Sequence, residues 1–474
     1  MVRQTEHPLV VDLDGTLLKV DSLWELIAFA IRKDWTNGFR IVAAALRGRP
    51  YLKQYLGQFA PAVLPQVPAN TAVIRLIEEA RQAGRPVLLA TASGEATAAE
   101  AAREHGPFDD VLASSDTVNL KGPAKADGLV ERFGEKGFDY VGNEVADIPI
   151  FAKAKHAVLV GGRPSLARRV VRANPEFTHL PSEKRSGHSL RRLIRPHQWS
   201  KNLLVFVPAL GAQAFSPQTL LDLVVGVLCF SAVASAFYVL NDILDVQGDR
   251  THLSKRSRPL AQGDVSVPAA SALALSLALA GIVTSTLLDP LFAIVLAMYA
   301  TLTFFYSLVL KRIVVVDVFT LASLYILRLV GGAVVAGVVL SAWLMSFSFF
   351  VFLSLALAKR YVEITDSALE DGKSVRGRGY IPSDSNWVGW AGVSVGVLSS
   401  MLLALYIEDR GDAGASGLVS WLWTAVPLWL YWVLRTWFKA FRRDLDDDPV
   451  LYAVRDRVSL AIGFALVMLF LFVS

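Results

Sequence analysis

One stretch of the sequence, residues 241–249, places an amide and three carboxylates directly after a long apolar run. Asp242, Asp245 and Asp249 are spaced so that, at 3.6 residues per turn, they fall near one stripe of a helix. Their mutual repulsion requires a cation, and hard oxygen ligands of this kind suit Mg²⁺, which bridges a few carboxylates to substrate phosphates. The spacing, with Asn241 beside it as a substrate-binding amide, therefore predicts a site for a phosphorylated substrate at a membrane surface.

A second candidate site follows a short apolar strand that begins at Leu9. Asp12 lies at the end of this strand, and Asp14 lies two residues further on, before Gly15. Catalytic groups favour strand ends in α/β folds. Asp12 is thus placed to attack phosphorus, and Asp14 to act as a general acid and base beside a metal. A simple Asp-Gly turn in a hairpin is the alternative interpretation.

Two later stretches also read as strands that end in polar groups. Residues 85–94 form an apolar run that ends in hydroxyl groups and a glycine, which suit hydrogen bonding to a phosphate. Lys121 and Lys125 then precede a helix-like segment, and residues 138–147 form a third strand with polar groups at its end. The order of these features favours a phosphate site over a hairpin turn.

The composition separates the chain into two parts. With 474 residues, 53% of them hydrophobic, and a mean hydropathy of +0.44, the chain is too apolar for an ordinary soluble protein. Residues 1 to about 185 have mixed charge and predict a soluble α/β domain, whereas apolar runs dominate from about 203 onward. The only cysteine, Cys229, excludes a disulfide within the chain. No nucleic-acid partner is expected, and a homo-oligomer is left open.

About nine apolar runs are each near the length needed to cross a bilayer, although the first is short. Basic connections alternate with connections that nearly lack Lys and Arg, so the positive-inside rule puts all the basic loops in the cytoplasm. The start of the chain is polar, and we expect no signal peptide and a cytoplasmic N-terminal domain in an inner-membrane protein, with the C-terminus on the opposite side. The runs lie near 203–214, 219–240, 267–287, 290–309, 313–335, 340–358, 387–407, 416–436 and 458–474.

In their order, the features of residues 1–165 resemble the haloacid dehalogenase (HAD) superfamily of phosphatases, with residues of about 21–75 as a small helical cap. The resemblance implies that Asp12 is the nucleophile and Asp14 the acid and base. It also implies phosphate binding by Thr91 and Lys125.

A Mg²⁺ site is implied by the same resemblance, with Asp147 as a ligand next to Asp12 and Asp14. Where the superfamily commonly has a further aspartate, this chain has Asn143, which lowers the charge available to the metal by one. An active phosphatase and a purely structural domain therefore both stay open.

Residues 202–474, after a basic linker at 166–201, resemble the UbiA-type superfamily of intramembrane prenyltransferases. The resemblance rests on the NDxxDxxxD pattern at 241–249, the following residues 255–263, the apolar runs and the cytoplasmic polar loops. Residues 195–202, 358–363 and 447–457 look most like the decaprenyl-phosphate phosphoribosyltransferase branch. That branch implies joining a polyprenyl phosphate to phosphoribosyl pyrophosphate, with release of diphosphate.

The chemistry of this transfer assigns roles to further polar residues. Asp242, Asp245 and Asp249 would hold Mg²⁺ on the diphosphate. Arg328 lies within an apolar run, where an arginine is rarely idle, although a structural pair with Asp317 is an equal alternative. The remaining candidates for binding the anionic substrates are Lys201, Asn202, Arg256, Arg258, Tyr306, Lys359 and Arg360.

Three hypotheses follow from these patterns. In the first, the membrane domain makes a polyprenyl-phosphoryl-5-phosphoribose and the HAD-like domain removes its 5-phosphate. In the second, a prenyl diphosphate is the donor to an aromatic or lipid acceptor, and the HAD-like domain is regulatory or structural. In the third, the spans form a lipid-binding or transport module. Asp366 and Glu370, four residues apart, could mimic the second acidic motif that aromatic-substrate members of the superfamily carry. Separately, the run 444–448 could hold a further metal ion, although a solvated charged loop is the simpler interpretation.

Overall fold

The computed structural model describes residues 7–115, 119–181, 187–252, 255–370, 378–412, 419–445 and 449–473. The chain divides into two compact units. The N-terminal unit comprises Met1–Ile194 together with Tyr238–Leu273, which carries the predicted aspartate site. The helical unit comprises Arg195–Phe237 and Ala274–Ser474.

A six-stranded parallel sheet forms the centre of the N-terminal unit, with strand order β3-β2-β1-β4-β5-β6. Strand β1 pairs with β2 on one side and with β4 on the other, so that Val10 lies opposite both Leu88 and Tyr140. The order therefore reverses at β1, and the crevice beyond its carboxyl end is where open α/β sheets bind ligands. The sheet confirms the predicted α/β domain. The strands are β1 (Leu9–Val11), β2 (Val87–Gly94), β3 (Asp110–Ser114), β4 (Asp139–Gly142), β5 (Ala157–Val160) and β6 (Phe177–Leu180).

Four helices lie between β1 and the helix that leads into β2, in the stretch predicted as a cap. The first of them, α1, begins where the Asp21 carboxylate accepts a hydrogen bond from the Leu23 N–H, and it ends with Arg32 and Lys33 near the negative end of the helix dipole. The helices of the α/β region are α1 (Ser22–Lys33), α2 (Asn37–Arg47), α3 (Arg49–Gly57), α4 (Ala60–Val63), α5 (Thr71–Gln82), α6 (Glu95–His105), α7 (Pro123–Phe133), α8 (Ile148–Lys153), α9 (Pro164–Ala173) and α10 (Gly187–Ile194).

The remainder of the chain is helical, and six helices in the part that the structure describes are long and apolar enough to cross a membrane. The chain is therefore a multi-pass membrane protein. The helices are α11 (Val207–Gly211), α12 (Pro217–Leu244), α13 (Val246–Thr251), α14 (Val267–Leu288), α15 (Pro290–Leu308), α16 (Val316–Ala336), α17 (Ala342–Glu370), α18 (Ser385–Asp412), α19 (Val419–Leu422), α20 (Ala425–Arg442), α21 (Pro449–Arg455) and α22 (Arg457–Val473). The six candidate spans are α12 and α14 to α18.

The predicted count of nine spans is not confirmed over the described ranges. The run near 203–214 folds as a 3₁₀ segment, Pro196–Phe206, followed by the five-residue helix α11. Helix α20 carries two arginines and a lysine within 18 residues, which reduces its mean hydropathy. Helix α22 is apolar but has only 17 residues. At 1.5 Å per residue, a helix needs about 20 residues to cross the hydrocarbon.

Candidate functional site

A cavity of about 480 Å³ opens at the carboxyl end of the parallel sheet. Its lining includes Asp12 after β1, Ser93 in β2, Lys125 in α7 and Asn143 after β4. These groups meet because the carboxyl ends of parallel strands lie at one edge of the sheet. The structure thus brings together most of the residues that the sequence predicted for a phosphate site.

Asp12 and Lys125 form a buried ion pair in this cavity. The Lys125 ammonium donates to Asp12 Oδ1 at 2.7 Å, to the Ala90 carbonyl at 3.1 Å and to the Tyr140 hydroxyl at 3.2 Å. Burial raises the pKa of Asp12 to about 7, and the charge of Lys125 opposes that effect only in part. The pair fixes the direction in which the Asp12 carboxylate points.

Asp14 is held by two donors, one of which comes from the helical cap. Its Oδ1 accepts the N–H of Ser22, the first residue of α1, at 2.7 Å, and its Oδ2 accepts the Ser93 hydroxyl at 2.7 Å. Thr91, the predicted phosphate binder, is buried and accepts the Ser93 N–H at 3.0 Å. Ser93, rather than Thr91, therefore lines the cavity. The sequence analysis assigned no individual role to Ser22 or Ser93.

Asp147 organises the loop that follows β4. Its Oδ1 accepts the Tyr140 hydroxyl at 3.0 Å, and its Oδ2 accepts the N–H groups of Asn143 and Glu144, each at 3.0 Å. The side-chain oxygen of Asn143 is buried without a hydrogen-bond partner. A buried, unpaired carbonyl oxygen beside carboxylates is a suitable ligand for a hard cation.

Among the side chains that the structure describes, no group of three or more His, Cys, Asp or Glu is arranged to hold a metal ion. Mg²⁺ typically needs only one or two carboxylates, because it keeps several waters and binds substrate phosphates. The oxygens of Asp12, Asp14 and Asn143 fit such a site.

The predicted helix through the aspartate segment is interrupted once. Helix α12 ends at Leu244, Asp245 follows it, and α13 begins at Val246. The Asp245 N–H still donates to the Asn241 carbonyl at 2.8 Å, and the Asp249 N–H to the Asp245 carbonyl at 2.9 Å. Helical spacing therefore continues through the interruption.

Arg258 joins two of the three aspartates. Its Nη1 lies 3.1 Å from Asp242 Oδ1 and 2.7 Å from Asp249 Oδ2, and both carboxylates are buried. Burial raises the pKa of Asp249, while Arg258 opposes this. Arg258 therefore lies at two of the three aspartates, whereas Arg256 is exposed in the turn Lys255–Ser257.

Helix α1 of the cap binds the aspartate segment within the N-terminal unit. Both oxygens of Glu25 accept hydrogen bonds from Arg250, at 2.9 and 3.0 Å, and Oε2 also accepts the Gln247 amide at 3.0 Å. Arg32 pairs with Asp245 at 3.0 Å. The Glu25 and Arg250 side chains are 1% and 6% exposed. We call these the α1 contacts, and sequence reasoning missed them.

Replacing Glu25 with alanine is expected to destabilise this unit strongly. Removing one partner of a buried ion pair leaves the other uncompensated and costs about 3–5 kcal/mol. A lower melting temperature of the full-length protein in detergent would measure this loss. The double variant Glu25→Arg with Arg250→Glu keeps the pair and should restore much of the stability, while an unchanged melting temperature in Glu25→Ala would contradict the α1 contacts.

In the helical unit, Arg328 is buried among polar partners. Its Nε donates to Asn202 Oδ1 at 2.8 Å, and its Nη2 donates to the Tyr299 hydroxyl at 3.0 Å. Lys201, next to Asn202, is also buried. The suggested pair between Arg328 and Asp317 is wrong, because Asp317 lies 2.7 Å from Arg360 instead.

The guanidinium of Arg360 is completely buried between two carboxylates, those of Asp317 and Glu363. Arg378 lies 3.1 Å from Glu363 and donates to the Tyr306 hydroxyl at 3.1 Å. Positive charge near Tyr306 therefore comes from Arg378, which sequence reasoning did not single out.

Lys359 is half-buried. The Glu370 side chain, which belongs to the candidate second acidic motif, lies outside the described residues. Residues 446–448, which belong to the separate acidic run 444–448, also lie outside them.

Comparison with known proteins gives one family match. The model of the UbiA prenyltransferase family matches residues 202–460, which is more than half of the chain. The uncharacterized protein y4nM of Sinorhizobium fredii is 38% identical over 473 residues, which cover 96% of this chain and 89% of that protein. This match extends over almost the whole chain, including the N-terminal unit.

Two partial likenesses concern the separate regions. A decaprenyl-phosphate phosphoribosyltransferase of Corynebacterium glutamicum is 36% identical over 186 residues, or 38% of this chain and 56% of that protein. A HAD family hydrolase structure from Salmonella enterica covers 36% of this chain and 68% of its own, with 11% identity and a TM-score of 0.28. The chain spans about half the length of the Corynebacterium phosphoribosyltransferase that it matches.

Proposed function

Because the chain belongs to the UbiA prenyltransferase family, we propose that it transfers a 5-phosphoribosyl group from phosphoribosyl pyrophosphate to a polyprenyl phosphate. The observation that carries this proposal is the 36% identity to a decaprenyl-phosphate phosphoribosyltransferase. We also propose that the N-terminal unit removes the 5-phosphate from the lipid product. A phosphomonoester is the substrate that a HAD-like site would take, and the transfer would make one.

In the proposed transfer, a phosphate oxygen of the lipid forms a bond to the anomeric carbon of the donor. The bond between that carbon and diphosphate breaks, and diphosphate leaves with the electron pair. Arg258, held by Asp242 and Asp249, supplies positive charge at the aspartates. Mg²⁺ bound by these aspartates would neutralise the diphosphate. The protein itself supplies no nucleophile.

In the proposed hydrolysis, the Asp12 carboxylate attacks the phosphorus of the 5-phosphate, and the bond to the ribose oxygen breaks. Asp14 gives a proton to that oxygen, and it then removes a proton from the water that hydrolyses the aspartyl phosphate. Lys125 orients Asp12, and Ser93 orients Asp14. Hydrolysis would draw a reversible transfer toward product.

The remaining assignments belong to the same proposal. Both sites act on the cytoplasmic side of the inner membrane, and the C-terminus lies on the other side. The boundaries are those predicted from the sequence: 1–165 for the phosphatase domain, 166–201 for the linker and 202–474 for the transferase domain. Lys201, Arg256 and Lys359 contribute charge toward the anionic substrates.

Removing divalent cations is expected to stop both reactions. Each proposed reaction acts on a phosphate group beside carboxylates, and Mg²⁺ suits that chemistry. Treatment with EDTA should therefore abolish the release of diphosphate and of phosphate, and added MgCl₂ should restore both. Persistent diphosphate release in EDTA would contradict the metal assignment at the aspartates.

The proposed donor and acceptor can be tested by omission. Purified full-length protein is given Mg²⁺, phosphoribosyl pyrophosphate and a polyprenyl phosphate, with each left out in turn, and diphosphate release is measured. Release that requires all three supports phosphoribosyl transfer. The family description favours one alternative, a prenyl diphosphate donor with an aromatic or lipid acceptor. Release that requires a prenyl diphosphate instead would establish that alternative.

A further inference from the structure

Helix α2 of the cap has an apolar face that is exposed. Phe39, Val42 and Leu46 lie at helical spacing on this face and are 69%, 59% and 84% exposed. On the opposite side of the helix, Ile41 and Ala44 are buried and fix α2 to the rest of the cap. An apolar stripe this exposed on a surface helix is typical of an interaction site.

Aromatic side chains extend this face at both ends of α2. Trp35 is 51% exposed and packs edge-on against Phe39, with 5.8 Å between the ring centroids. Tyr51, at the start of α3, is also 51% exposed, and the guanidinium of Arg47 lies 5.4 Å from its ring centroid. Tryptophan and tyrosine are enriched where protein meets the headgroup region of a bilayer.

The charge on this helix has one sign. Helix α2 contains no acidic residue, and its two basic residues, Arg40 and Arg47, are both exposed. In the sequence, no acidic residue lies between Asp34 and Glu78. A helix with an apolar face and basic flanks matches the interface of a membrane with anionic lipids.

We propose that the α2 face, defined by Trp35, Phe39, Val42, Leu46 and Tyr51, lies in the headgroup region of the anionic cytoplasmic leaflet. The exposed Arg40 and Arg47 complement anionic headgroups, and the chain is itself a multi-pass membrane protein, so a bilayer is always present at high local concentration. The proposal does not depend on which reaction the protein catalyses.

The test uses the full-length protein with Leu46→Cys, labelled with a polarity-sensitive fluorophore and reconstituted into phosphatidylglycerol nanodiscs. The native Cys229 is buried, and the labelled wild type serves as the blank. Glu78→Cys on α5, an exposed position outside the α2 face, is the matched control. Quenching by lipids brominated near the headgroup should be at least about twofold stronger at position 46 than at position 78, since interfacial helices bury their apolar face by about 5–10 Å.

The basic flank is tested by adding Arg40→Glu and Arg47→Glu to the labelled protein. Quenching at position 46 should fall toward the control value, and it should also fall when phosphatidylglycerol is replaced by phosphatidylcholine. Equal quenching at positions 46 and 78 would overturn the proposal. Self-quenching between labels in nanodiscs that hold two copies, without quenching by lipid, would also overturn it and would assign the face to a second copy of the chain.

Discussion

Replacing Asp245 with alanine is expected to reduce diphosphate release by at least about 100-fold, which is the usual loss when a group that stabilises transition-state charge is removed. Asp245 lies between α12 and α13, one helical turn from both Asp242 and Asp249. Its loss would remove a carboxylate from the predicted Mg²⁺ site and leave Arg32 of the cap without this partner. The measurement is diphosphate release by the purified variant at saturating substrates.

A matched control separates this effect from damage to the fold. Asp264→Ala removes a carboxylate from the same segment of the N-terminal unit, outside the three aspartates. It should retain activity within about threefold, as is usual for substitutions away from a site. Because Asp245 is partly exposed, its variant should also keep a melting temperature close to that of the wild type. Near-normal diphosphate release by Asp245→Ala would refute the aspartate site.

The second large effect is expected from Asp12→Asn. The amide keeps the shape of the carboxylate but cannot attack phosphorus, so phosphate release from the phosphoribosyl lipid should fall by at least about 1,000-fold. Diphosphate release should persist, since Asp12 takes no part in the transfer. The exposed carboxylate of Asp127 on α7 provides the control variant Asp127→Asn, which should behave as the wild type. Phosphate release at the normal rate in Asp12→Asn would leave the N-terminal unit without its proposed activity.

Local sequence patterns predicted the strands and the residues at their ends. The short apolar run before Asp12 and the one that leads to Thr91 both become parallel strands, and Lys125 lies in the same cavity, 2.7 Å from Asp12 Oδ1. This part was predictable because strand ends in a parallel sheet meet at one edge. The choice between Thr91 and Ser93 was not predictable. Residues two apart share a face in a regular strand, but the β2–β3 register shifts between Ala90 and Gly94, and this irregularity cannot be read from the sequence.

Contacts between distant parts of the sequence were beyond prediction. Glu25 and Arg250 are 225 positions apart, and neither has a local pattern that points to the other. Arg360, like Lys359, was predicted to bind the anionic substrates. Its side chain is instead completely buried against Asp317, which no local pattern indicated. Hydropathy alone also did not separate long helices from shorter segments, because it does not register the 3₁₀ geometry of Pro196–Phe206 or where α20 begins.

Helix α1 contacts both candidate sites of the N-terminal unit. Its first residue, Ser22, donates to Asp14 in the sheet-edge cavity, while Glu25 and Arg32 hold the aspartate segment. The helix has 12 residues and is about 18 Å long. One short element thus fixes groups that belong to both proposed reactions, which is consistent with two successive steps on one lipid.

The mass of the lipid product tests the two-step account most directly. Full-length protein is incubated with Mg²⁺, phosphoribosyl pyrophosphate and a polyprenyl phosphate, and the extracted lipid is analysed by mass spectrometry. The wild type should yield polyprenyl-phosphoryl ribose, whereas Asp12→Asn should accumulate the form that still carries the 5-phosphate. Accumulation of the phosphorylated lipid by the wild type, or the absence of any pentose on the lipid, would contradict the account.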